Sequence, residues 1–106
     1  MERLRRRADV DEVFKRGRSC ATAFAVLRYV GTSGPTRVAV AVGKRLGGAV
    51  RRNRLRRRWR EVVRLGPPLR QGFDVVLVAR VAGERASPDQ LRTAWAQALA
   101  RAGLAR

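Results

Sequence analysis

Hydrophobic positions change period several times along this chain, and each change marks an element. Val10, Val13 and Phe14 recur at helical spacing. Asp9 stands before them with Glu12 three residues later, the form of a capping box, and Gly17 follows as a stop. A short helix is predicted over residues 9–16. From residue 19 to 30 the pattern alternates, with Phe24, Val26, Arg28 and Val30 on one side and Ala23, Ala25, Leu27 and Tyr29 on the other. That predicts a strand, bent if anywhere. After the GTSGPT turn, residues 37–43 form a second strand, with Val38, Val40 and Val42 opposite the small Ala39, Ala41 and Gly43. Residues 73–79, FDVVLVA, are almost continuously apolar, which marks a central strand covered on both faces.

Two longer helices complete the pattern. In AVRRNRLRRRWREVVR, from Ala49, the residues Leu55, Trp59, Val62 and Val63 form one narrow apolar stripe, and GPPLRQG ends the helix. The last helix has Ser87 as cap, Pro88 at its first position and Gln90 completing the box, with Leu91, Ala94, Trp95, Ala98, Leu99 and Ala102 on one face before Gly103. The order helix, strand, strand, helix, strand, helix, with the first strand free to split in two, predicts an α+β fold: a two-layer sandwich of helices on a small mixed sheet. At 106 residues it is expected to be one domain, 1–106.

Charge changes this from a generic sandwich to a binding protein. The chain carries 25 Lys and Arg against 8 Asp and Glu, a formal net charge of +17. No acidic residue lies between Glu12 and Glu61. A surface so cleared of carboxylates is suited to a polyanion. The Arg helix concentrates it: Asn53, Arg57, Arg60 and Arg64 lie opposite the apolar stripe, Arg52 and Arg56 flank one edge, and Arg51, Arg54 and Arg58 the other. Like charges four residues apart are mutually destabilising, so a bound phosphate backbone must offset them. Asn53 adds an oriented donor and acceptor among the guanidiniums. Trp59, on the apolar stripe, is expected in the core.

Absences narrow the chemistry. With no His and one Cys, imidazole catalysis, the usual triads and Cys/His zinc sites are excluded. Cys20, in an alternating apolar run, is read as a small core residue. No apolar run reaches the roughly 18 residues of a membrane span. MERLRRR enters a charged, helix-like segment without an export-type apolar stretch, so a cytoplasmic location is expected.

The run Gly43-Lys44-Arg45-Leu46-Gly47-Gly48-Ala49-Val50-Arg51-Arg52-Asn53-Arg54-Leu55-Arg56-Arg57 resembles the signature of the bacterial ribonuclease P protein family. DVDEVFKRGRS (9–19) and GFDVVLVAR (72–80) extend the resemblance to nearly the whole chain. The resemblance implies a fold like the second domain of ribosomal protein S5, with a left-handed crossover through the Arg helix. It implies a protein subunit that binds the catalytic ribonuclease P RNA and the 5′ leader of precursor tRNA, while the RNA hydrolyses the leader junction with Mg2+ and the protein holds no cofactor or metal. By that resemblance Lys44, Arg45, Arg51, Arg52, Asn53, Arg54 and Arg57 face the catalytic RNA, and Val10, Phe14, Arg28, Arg56 and Arg60 line a leader groove. Val10 and Arg28 stand where the family often has aromatics, and Gly43 and Gly48 where it has small polar residues. A ribosomal protein shares the charge and class but does not need the Arg-Asn-Arg constellation. A DNA reader would carry more varied side chains than this helix does, and neither DNA nor a membrane is an expected partner.

Overall fold

The apolar strand at residues 73–79 organises the molecule. The computed structural model describes residues 2–106. They form β1 (Glu2–Arg3), α1 (Arg7–Arg16), β2 (Arg18–Ala21), β3 (Ala25–Gly31), β4 (Arg37–Ala41), α2 (Ala49–Leu65), β5 (Phe73–Ala79) and α3 (Pro88–Ala102), with one-turn 3-10 helices at Lys44–Leu46 and Val81–Glu84. The five strands make one mixed sheet in the order β1-β4-β5-β3-β2. β5 runs parallel to β4 and antiparallel to β3. The adjacent parallel strands β4 and β5 are joined through α2, which is the crossover unit that the resemblance implied.

Alternation along β5 divides the core in two. Val75, Leu77 and Ala79 join Leu27, Val38 and Val42 beneath Leu55 and Trp59 of α2 and Leu91 and Trp95 of α3. Val76 points the other way, to Val13 of α1 and to Leu4. The sheet thus carries α2 and α3 on one face and α1 on the other. Trp59 is 1% exposed, as its place on the stripe predicts.

Three local expectations give way to tertiary contacts. Helix α1 begins at Arg7 with no side-chain cap at Arg6, so Asp9 lies inside the first turn and is not its cap. Asp9 is drawn instead to Arg37 at 3.3 Å, and Arg37 also forks onto both oxygens of Asp74 at 2.9 and 2.7 Å. Hydrogen bonding to Asp74 pushes the ionisation of Arg37 further above its ordinary value. A charge-assisted contact outcompetes a local cap. The single strand over 19–30 is a hairpin of β2 and β3, because the Thr22 hydroxyl accepts from the N–H groups of Phe24 and Ala25 and closes a turn that its apolar neighbours disguise. The N-terminal segment is an edge strand, β1, tied to β4 by Glu2 N–H to Thr36 O and Leu4 N–H to Val38 O, both 3.0 Å. Two residues are too few for a periodic signal.

Helix ends elsewhere follow the sequence. Ser87 Oγ accepts from Gln90 N–H at 3.1 Å while Gln90 Oε1 accepts from Ser87 N–H at 2.8 Å, and Gly103 closes α3 at φ 75°. Ser87→Ala should lower stability by about 1 kcal/mol, read as a shift of the urea midpoint; an unshifted midpoint would show that the box adds nothing to α3. Gly17 has a spatial role, since a Cβ there would lie 2.3 Å from Val13 O and 2.9 Å from Tyr29 O. Its bare backbone lets α1 exit directly against β3, which sets Phe14 over Arg28.

Candidate nucleic-acid interface

Helix α2 sorts its arginines by what lies beside them. With Leu55, Trp59, Val62 and Val63 buried against the sheet, one flank meets the turn Val81–Glu84. Arg51 Nη2 lies 2.7 Å from each carboxylate oxygen of Glu84. Arg58 donates to the carbonyls of Gly83 at 3.2 Å and Glu84 at 2.9 Å, and also to that of Ala86. On the outward face Arg56 donates to Asn53 Oδ1 at 2.6 Å, fixing the amide so that its N–H2 points away. Arg64 pairs with Glu61 at 2.6 Å and holds that carboxyl below its ordinary range. Arg52, Arg54, Arg57 and Arg60 have no carboxylate partner among the described residues.

The turn before α2 extends this surface. Lys44 and Arg45 are exposed on the 3-10 helix. Gly47, at φ 109°, then turns the chain into α2, and a Cβ there would lie 3.0 Å from the Arg51 side chain. The first turn of α2 has no acidic residue and no side-chain cap, so its free N–H groups add positive potential. Lys44, Arg45, Arg51, Arg52, Asn53, Arg54 and Arg57 therefore share one cationic end of the molecule, although Arg51 arrives already paired with Glu84.

On the opposite face of the sheet lies a different surface. Phe14 is 42% exposed. Arg28 Nη2 donates to Phe14 O at 2.6 Å, and its guanidinium carbon sits 5.8 Å from the ring centroid, within cation–π range. Val10 is half-buried beside them, and Val30, Ala39, Ala41 and Val78 are only partly covered. The result is a shallow apolar strip with one aromatic and one guanidinium at its edge. Tyr29 does not join it: the β3–β5 register is continuous from Ala25↔Ala79 to Gly31↔Phe73, so no bulge turns Tyr29 away from the α3 side, where it packs.

The five expected leader residues are thus not contiguous. Val10, Phe14 and Arg28 come together on the α1 face, while Arg56 and Arg60 lie on α2, across the sheet. Periodicity shows which residues share a helix face; it does not show which sheet face each helix takes. Arg3 was missed for the same reason. It enters beside Arg60 only because β1 pairs with β4. Among the described residues no three His, Cys, Asp or Glu side chains come together as a group that could hold a metal ion.

The ribonuclease P family model matches residues 1–103. The chain belongs to the ribonuclease P protein family. It is 43% identical to the ribonuclease P protein component of Symbiobacterium thermophilum, over 96% of this chain and 91% of that one. The ribonuclease P protein of Thermotoga maritima superposes with a TM-score of 0.81 at 31% identity, covering 95% of this chain and 97% of that one. A mutant ribonuclease P protein of Staphylococcus aureus superposes at 0.84, with 26% identity and coverage of 96% and 88%. The chain is therefore a protein component of ribonuclease P, an RNA-binding ribonucleoprotein endonuclease of tRNA processing. The α+β class and mixed sheet expected from the sequence are those of these solved structures.

Proposed function

We propose that this chain, as a single RNA-binding domain over 1–106 in the cytoplasm, docks the catalytic ribonuclease P RNA on the N-terminal half of α2 and guides the 5′ leader of precursor tRNA along the α1 face. The observation that carries this reading is the block of unpaired arginines, Arg52, Arg54 and Arg57, around an amide oriented by Arg56. Guanidiniums without carboxylates gain most from phosphate, and counterions released on contact supply much of the binding free energy. Asn53 adds a contact that depends on orientation. The α1 strip suits unpaired leader bases, with Phe14 to stack on and Arg28 beside the ring. Among the described residues no helix is long and apolar enough to cross a membrane.

Metal-dependent hydrolysis, with Mg2+, belongs in this reading to the RNA subunit. The protein contributes position: it holds the leader so that the junction to be cut stays in the RNA active site, and its charge lowers the repulsion between two RNAs.

Reconstitution with a bacterial ribonuclease P RNA tests this division. The protein alone should leave precursor tRNA intact and should raise the rate of the RNA at low magnesium. Arg52→Ala and Arg57→Ala should weaken binding to the catalytic RNA and flatten its log–log salt dependence by roughly one unit per lost phosphate contact. An unchanged slope removes these residues from the interface, and cleavage by RNA-free protein overturns the division of labour.

A further inference from the structure

At the β1 edge of the sheet, α2 and β4 border an open cavity of about 280 Å³. Its floor is aliphatic, formed by Val38, Val40 and Val63, and its rim carries Arg3, Arg60, Arg64 and Glu2. Successive strand residues point to opposite faces; Leu4 packs with Val13 and Val76, so Arg3 turns to the α2 side. There it meets Arg60, whose ionisation is lowered by burial and then by the charges of Arg3 and Arg56. Arg64 is already neutralised by Glu61 at 2.6 Å. Arg3 and Arg60 have no ion-pair partner among the described residues. Two guanidiniums that line one apolar-floored cavity without a carboxylate partner suit an anion with an apolar body.

We propose that this cavity is a second RNA subsite, taking one unstacked nucleotide with its base on the valine floor and its phosphate between Arg3 and Arg60. The inference rests on the RNA-binding reading above and adds to it a site on a different part of the molecule. The volume lies just below the usual range for ligand pockets, on the scale of a single nucleotide. Arg52, Arg56 and Arg60 lie at i, i+4 and i+8 along one edge of α2, a cationic row from the docking surface to the cavity. That row makes the catalytic RNA the source of the nucleotide.

Two substitutions separate the parts of the subsite. Arg3 is exposed, so Arg3→Gln leaves the fold intact; it should weaken binding to ribonuclease P RNA several-fold and flatten the salt slope by about one unit. Val40→Phe fills the floor and should weaken binding several-fold with the slope unchanged; if it melts early, the smaller filling substitution Val40→Leu takes its place. The same variants are assayed in the holoenzyme against precursor tRNA with a leader and against mature tRNA. A loss confined to precursor tRNA keeps the subsite and assigns its nucleotide to the leader. An unchanged slope for Arg3→Gln with every RNA overturns the proposal, and so does wild-type binding by folded floor variants. If Arg52→Ala and Arg57→Ala still weaken binding in that case, only the subsite has failed; if they too are silent, the docking reading has failed.

Discussion

Phe14→Ala should reduce holoenzyme affinity for precursor tRNA carrying a leader of several nucleotides by roughly 1 to 3 kcal/mol, the scale of one lost base stack. Binding of mature tRNA should be unaffected. Two roles fit this ring, core and groove, since Val10, Val13 and Phe14 share one helical face. The structure separates them. Val13 is fully buried, whereas Phe14 is 42% exposed, so its truncation should cost far less than the roughly 3 to 5 kcal/mol of a buried Phe. Arg28 strengthens the effect. Its guanidinium is held at the ring by the Phe14 carbonyl at 2.6 Å, so ring and cation form one prearranged platform, and removing the ring leaves the cation without its stacking surface. Melting temperature and both tRNA affinities, measured on one variant, decide the matter: early melting with equal effects on the two tRNAs would return Phe14 to the core.

The contrast between Phe14 and Tyr29 shows how far the sequence could be read. Periodicity placed the apolar stripe of α2, the central β5 and the capped α3 because each is long enough for its period to be unambiguous. It separated Val38, Val40 and Val42 from Ala39 and Ala41, and the two cores divide along that line. It could not place Asp9, because a carboxylate that can cap a helix can also bind an arginine 28 residues away, and the stronger contact won. It could not see β1, which exists only as a partner of β4. The proposed docking surface could be outlined because its residues are nearly contiguous in sequence. The proposed leader surface was only partly legible, because Phe14 and Arg28 come from different elements and their meeting depends on the tight exit at Gly17.

The same limit applies to two adjacent arginines, and exchanging each for alanine should show it. Charge counting treats Arg57 and Arg58 alike, yet only Arg58 reaches back into the protein, to the carbonyls of Gly83, Glu84 and Ala86. Those carbonyls belong to the turn between β5 and α3, and Gly83 packs close to Trp59, where a Cβ would lie 3.7 Å from the indole nitrogen. Arg58→Ala removes a charged donor from three acceptors at once. Hydrogen bonds to charged groups are worth about 1.5–3 kcal/mol each when buried, but this guanidinium is partly solvated and water replaces some of the loss, so the whole substitution should cost about 2 kcal/mol of stability. RNA affinity at temperatures well below melting should change little, because the guanidinium is already engaged. Arg57→Ala should do the opposite, leaving the urea midpoint in place while reducing affinity for the catalytic RNA and the salt slope. Arg58→Lys sharpens the test: the charge remains, but a single ammonium cannot span three carbonyls, so it should recover only part of the lost stability. If Arg58→Ala instead weakens RNA binding as strongly as Arg57→Ala with no change in midpoint, then the turn contacts are incidental and Arg58 belongs to the docking surface.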